Sequence, residues 1–178
     1  MRDELVKLSE QDYRLYGVHS GSYDYTCRVI KNFIEARKRD VDEQFKEENI
    51  PAEFADAAVE VESDVRYYAH IEESYLWQLC ILRLHGLFEL FITEKILSNS
   101  NDGHRGFMAK LTRARESGFT MSDDEANELE QWNKLRNMLT HVPPEDYHPV
   151  AIDELDAKEY SHLITNLSRR WEDQSNEA

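Results

Sequence analysis

Three side chains near the carboxyl end of this chain could do chemistry together: Arg136, Asn137 and His141, within the hexapeptide RNMLTH. They close a segment from Ser122 to Val142 whose apolar positions Leu129, Trp132, Leu135, Leu139 and Val142 fall on one arc at about 100° per residue. On that wheel Asn137 and His141, four residues apart, sit side by side away from the apolar arc, and Arg136 lies at its flank. A guanidinium, an amide and an imidazole are therefore offered at one helix end, before Pro143-Pro144 stops the helix. The structural alternative is a solvated terminus whose Arg and His complement the helix dipole.

His85 and Glu89 are four apart in the apolar run LRLHGLFELFI. Buried polar groups need partners, so one reading is an internal hydrogen-bonded pair that fixes helix packing. The other is a supporting layer beneath the Arg136 site. Two ExxH fragments, Glu145-His148 and Glu159-His162, carry the spacing of a di-iron carboxylate bundle. The first lies between Pro144 and Pro149, which argues against a helix there, and no metal or other cofactor is expected. A Gly-rich phosphate loop, a nucleophile-elbow serine and an HExxH pair are all missing from the sequence.

Positioning these groups requires helices. Six Gly and four Pro in 178 residues leave long uninterrupted stretches, the mark of an all-α chain. Residues 1–22 show no sustained period and read as a tail or short helix. From Tyr23 to Glu48, the positions Tyr25, Val29, Phe33, Ile34, Val41 and Phe45 recur at helical spacing. Asn49 with Pro51 suggests the start of a second stretch reaching Leu97. Its inward set is Phe54, Val61, Val65, Tyr68, Tyr75, Leu79, Leu87 and Phe91, and Ser63-Asp64 is the expected break. Beyond Tyr75 it is apolar nearly all round, as in the middle of a bundle. SNSNDG, Ser98 to Gly103, is a loop. His104 to Ser117 should bury Phe107, Leu111 and Ala114, with Gly118 ending the helix. Ser122 and Glu125 form a capping box for the RNMLTH helix. After a loop, Asp153 starts a last helix with Leu163, Ile164, Leu167 and Trp171 inward, and 172–178 is an acidic tail.

One domain, 1–178, follows from the length. The net charge of −15 argues against a general nucleic-acid binder. The acid is concentrated, with ten Asp and Glu against Lys46 between Asp40 and Asp64. Around His104 to Glu116 the balance reverses, with Arg105, Lys110, Arg113 and Arg115 against one acid. That cluster reads as a local basic surface or as an ordinary solvated face. Cys27 and Cys80 fall in apolar helical patterns and read as free buried thiols of a reducing compartment. The charged start MRDELVKLSEQDYR does not resemble a secretory signal. Arg83, His85 and Glu89 interrupt the most apolar run, so a soluble cytoplasmic protein without a membrane anchor is expected.

RNMLTH resembles the R-x4–6-H signature of the HEPN superfamily (higher eukaryotes and prokaryotes nucleotide-binding), which typically has a polar residue straight after the Arg. The layout of about 64–171 is also similar: an apolar central helix with a glutamate, LHGLFELFITEKIL, then the signature helix and a final helix. The resemblance implies an antiparallel helical bundle with long amino-terminal helices. It further implies a metal-independent endoribonuclease of the kind found in toxin–antitoxin and phage-defence systems. In that chemistry the ribose 2′-hydroxyl attacks the phosphate, needing a base for its proton and a cation for the crowded phosphorus. His141 would be general base or acid, Arg136 the phosphate clamp, and Asn137 the orienting amide. The resemblance also implies a homodimer with one composite cleft, RNA as substrate and a cognate antitoxin protein as partner. The basic helix would carry flanking RNA. Many active members continue His-x-Tyr, whereas here Val142-Pro143 follows and Tyr147 is the nearest tyrosine. That departure keeps open a HEPN-like module that binds a nucleotide or protein without cutting, and a plain helical scaffold is the third reading.

Overall fold

A computed structural model describes residues 21–51, 53, 55–97, 106–141 and 150–177. The expectations placed on Arg105, Tyr147, Phe54, Val142 with the prolines after it, the Glu145-His148 fragment, residues 1–20 and the loop 98–103 lie outside the described residues.

The described residues form an all-α bundle of five α-helices without a strand: α1 (Gly21–Gln44), α2 (Ala55–Phe91), α3 (Phe107–Glu116), α4 (Asp123–His141) and α5 (Glu154–Glu177). A short 3₁₀ turn, Glu47–Asn49, follows α1, and a π-helical turn, Ile92–Ile96, continues α2. α1 and α5 pack on each other and both pack on α2, which also meets α4. The core is thickest around the carboxyl half of α2, where Trp77, Cys80, Ile81, Leu84, Phe88, Phe91 and Ile92 are buried with Tyr160, Leu167 and Trp171 of α5. Burying such a side chain contributes roughly 1.5–3 kcal/mol, so this half-helix anchors the molecule. From Ala57 to Ile96 the chain is, among the described residues, the one helix long and apolar enough to cross a membrane. Just over half of its most apolar window (56%) is buried in the fold.

Local signals set the helix ends. Ser122 and Glu125 make the reciprocal capping box: Ser122 N–H donates to Glu125 Oε2 at 2.8 Å and Glu125 N–H to Ser122 Oγ at 3.1 Å. Arg170 of α5 donates to the other oxygen of Glu125 at 2.6 Å and ties α4 to α5. Burial opposes the Glu125 charge, but these donors prevail and hold its carboxyl below the ordinary range. Asp153 caps α5 likewise, accepting from Leu155 and Asp156 N–H, while its own N–H donates to Asp156. α3 ends on Gly118 at φ 95°, with Phe119 N–H donating to Ala114 O and Gly118 N–H to Arg115 O, a full Schellman pattern. Phe119 then lies against Trp171, whose indole N–H donates to Thr120 O at 2.7 Å.

Several expectations need correction. α2 runs unbroken through Ser63-Asp64; no Pro or Gly interrupts it there, and the departure from α geometry comes at Ile92–Ile96. Asn49 donates from its side chain to Glu43 O, closing α1 and not opening α2. Val29, Phe33, Val61, Tyr68, Tyr75 and Leu79 are exposed, not inward. Val29 and Leu79 line an open groove between α1 and α2, so their helical period marks a real apolar face that no described residue covers. Part of the expected amino-terminal tail, Gly21 and Ser22, belongs to α1, and the expected acidic tail after Trp171 continues α5 to Glu177. Cys27 and Cys80 are free and buried as expected, with the sulfurs 3.9 Å apart and Cys80 donating to Cys27.

Candidate functional site

α2, the start of α3 and the middle of α4 meet around a pocket of about 330 Å³, lined by His85, Glu89, Asn133, Arg136 and Asn137 and by the Gly106–Ala109 segment. The spacing explains the convergence. His85 and Glu89 are one turn apart on α2, and Asn133, Arg136 and Asn137 share the face of α4 that flanks its apolar arc. Leu129 anchors α4 in the core, which fixes that face toward α2.

His85 is buried at 1% exposure. Its Nδ1 lies 2.8 Å from the Tyr160 hydroxyl, and its ring rests on Phe107, centroids 4.2 Å apart. Burial first, then the positive charge of Arg136, pushes its pKa down to about 4, against a smaller opposite pull from Glu89. It is therefore neutral near pH 7. Burial likewise raises the Tyr160 phenol well above its ordinary value, so that group keeps its proton. Trp132 stacks on Tyr160 with centroids 4.7 Å apart and holds the ring from the α4 side.

The anticipated His85–Glu89 internal pair is not formed. Each takes a partner from another helix: Tyr160 for His85, and Lys110 for Glu89, with Nζ to Oε1 at 2.8 Å. The Lys110–Glu89 bridge is mostly shielded, side chains 17% and 28% exposed, and it cancels the carboxylate charge at the pocket edge. Lys110 was expected on a local basic surface or an ordinary solvated face; it is bound inward to Glu89 instead. Arg113 pairs with Glu116 and Arg115 with Asp123, so the basic side of α3 is largely neutralised by local acids.

Arg136 is half-buried, and its Nη1 donates to Asn137 Oδ1 at 3.0 Å. Thr140 Oγ1 donates back to Arg136 O at 2.9 Å. His141, the last residue of α4, is exposed and does not line the pocket. The structure thus brings together four of the expected residues, His85, Glu89, Arg136 and Asn137, and leaves His141 more than a turn further along the same helix. Asn133 and Tyr160 were missed from sequence. Asn133 lies one turn before Asn137, a spacing that could have flagged it; Tyr160 sits 75 residues from His85 with no local signal. Glu159 and His162 are exposed on α5, and no cluster of three metal-ligating side chains occurs among the described residues.

Comparison with known proteins produced no match to a family model, a curated protein or a solved structure.

Proposed function

We propose that the protein is a HEPN-like, metal-independent endoribonuclease that cleaves RNA by attack of the 2′-hydroxyl, acting as a cytoplasmic homodimer. The observation that carries this reading is the hydrogen-bonded Arg136–Asn137 pair at the wall of a polar pocket, with an exposed imidazole on the same helix end. The Arg136 guanidinium offers a planar fork to a phosphate. Its bond to Asn137 holds the two groups as a unit. His141 is exposed where a substrate could reach it, and an imidazole is suited to accept the 2′-hydroxyl proton and return one to the leaving 5′-oxygen. A second protomer placed across α4 would supply a second Arg136 and His141 to one cleft. A system of toxin and cognate antitoxin protein is the setting proposed for it.

One observation favours a second reading. His141 stands outside the pocket that Arg136 and Asn137 line, and the chain is strongly acidic, which suits a HEPN-like module that binds a nucleotide or protein without cutting.

The test is incubation of wild type and His141→Ala with transfer RNA and total RNA in EDTA. Cleavage by wild type alone, leaving cyclic-phosphate ends, is the expected result. Equal cleavage by both chains would exclude His141 as the acting group, and a folded, dimeric wild type that leaves RNA intact would support the binding module.

A further inference from the structure

The pocket holds an unusual surplus of hydrogen-bond donors. One wall is Gly106 with the first turn of α3, a ten-residue helix that begins at Phe107; its N-cap Gly106 (φ 93°) has no side chain to cap it, no side-chain cap is made among the described residues, and the first turn carries no acid. The leading amides of a helix have no partner inside it, and the dipole makes that end positive. From α4, Arg136, Asn133 and Asn137 line the same pocket as this turn. Asn137 Oδ1 is taken by Arg136, which leaves the amide nitrogen as the free end. The single carboxylate at the pocket, Glu89, is already bridged to Lys110.

An independent sign comes from His85. Tyr160 OH and His85 Nδ1 lie 2.8 Å apart, and the hydroxyl has no other acceptor among the described residues; assigning it as the donor puts the hydrogen of the neutral ring on Nε2. Nε2 is buried and has no hydrogen-bond partner among the described residues. A buried donor left unpaired costs stability, and such groups call for an explanation. His85 lines the pocket and packs on Phe107, the first residue of α3, which places the imidazole beside that helix end.

From the uncapped α3 turn, the Arg136–Asn137 pair, Asn133 and the unpartnered His85 Nε2, we propose that this pocket is an oxyanion subsite that seats one phosphoryl group of a nucleotide or RNA ligand. The inference rests on the ribonuclease reading for its ligand class and deepens it: the phosphate that Arg136 holds is received by the α3 amides and His85. His85 and Asn133 are positioning residues here, not proton carriers. The pocket volume admits a phosphate with a ribose attached, and a helix amino end with an arginine is a recurrent phosphate cradle. Nε2 is shielded, so an oxyanion meets it only when pocket side chains move aside, and binding then registers at the imidazole itself.

The experiment is a titration of full-length, ¹⁵N-histidine-labelled protein with inorganic phosphate and separately with adenosine 5′-monophosphate, following the His85 imidazole nitrogens. A saturable Nε2 shift with both probes, the nucleotide binding at least tenfold tighter, is expected. Asn133→Asp, which adds a carboxylate at a partly exposed position, should weaken both at least tenfold while the circular dichroism stays unchanged. His85→Phe should weaken them in the same way; if that chain fails to fold, Asn133→Asp carries the test. Unmoved Nε2 with both probes, or unchanged affinity in Asn133→Asp, overturns the subsite. Equal affinity for phosphate and nucleotide overturns the nucleic-acid assignment. Phosphate binding with no RNA cleavage keeps the subsite and removes the ribonuclease, whereas cleavage unaffected by saturating phosphate and by Asn133→Asp keeps the ribonuclease and removes the subsite.

Discussion

Two histidines, His85 and His141, stand at opposite extremes of environment. His85 sits in the floor where α2, α3 and α5 meet, buried, neutral and held by Tyr160. His141 ends α4 in contact with solvent. The floor is built of long-range partners and tolerates little change; the rim rests on one helix and is open to a ligand. Stability and chemistry are thereby separated along α4: Leu129 and Trp132 bind the helix to the core, and the groups proposed to act follow them.

The largest effect that could break this contrast is at the floor. Tyr160→Ala removes a fully buried ring stacked on Trp132 and strands His85 Nδ1, and should cost about 3–5 kcal/mol. For a chain of this size that is a fall in Tm on the order of 10 °C, read by thermal unfolding. A shift of only a degree or two would show that the floor is not packed as described.

Acid should reveal the floor next. The folded His85 pKa of about 4 lies below the ordinary 6.5, so the unfolded chain takes up a proton that the folded chain refuses. The stability this group contributes is complete above pH 6.5 and is lost as pH falls toward 4, amounting to about 3 kcal/mol at most. Urea unfolding across that window should give a shallower pH slope in His85→Phe than in wild type. Parallel slopes would contradict the buried neutral imidazole.

A smaller effect belongs to the pocket edge. Lys110→Met leaves the half-buried Glu89 carboxylate without its partner and should cost about 1 kcal/mol, measured by chemical denaturation. Smallest is the rim. His141→Ala should change stability by no more than about 0.5 kcal/mol, because an exposed helix-terminal side chain has little to lose.

The same contrast governs what the sequence could reveal. The cap at Ser122–Glu125, the Gly118 ending of α3 and its inward set Phe107, Leu111 and Ala114 are local matters of spacing, and all stand as expected. The central position of the α2 carboxyl half also follows from a run that is apolar all round. Helical period alone, however, does not say whether an apolar face is covered, which is why Val29, Phe33 and Leu79 seemed inward. Ser63-Asp64 looked like a break because the pattern was long, but nothing in those residues opposes a helix. At the site, Arg136, Asn137 and His141 were legible as a cluster on one helix. Their partition between pocket and rim was not, and neither were the pairs His85–Tyr160 and Glu89–Lys110, since each depends on how separate helices meet.

The most direct test of this division is steady-state cleavage of one defined RNA in EDTA by wild type, His141→Ala and Asn133→Asp. The account predicts that His141→Ala lowers kcat at least 100-fold with little change in KM. Asn133→Asp, the pocket variant, should raise KM with kcat largely kept. Loss of kcat in Asn133→Asp with His141→Ala fully active, or no cleavage by a folded wild type, would contradict it.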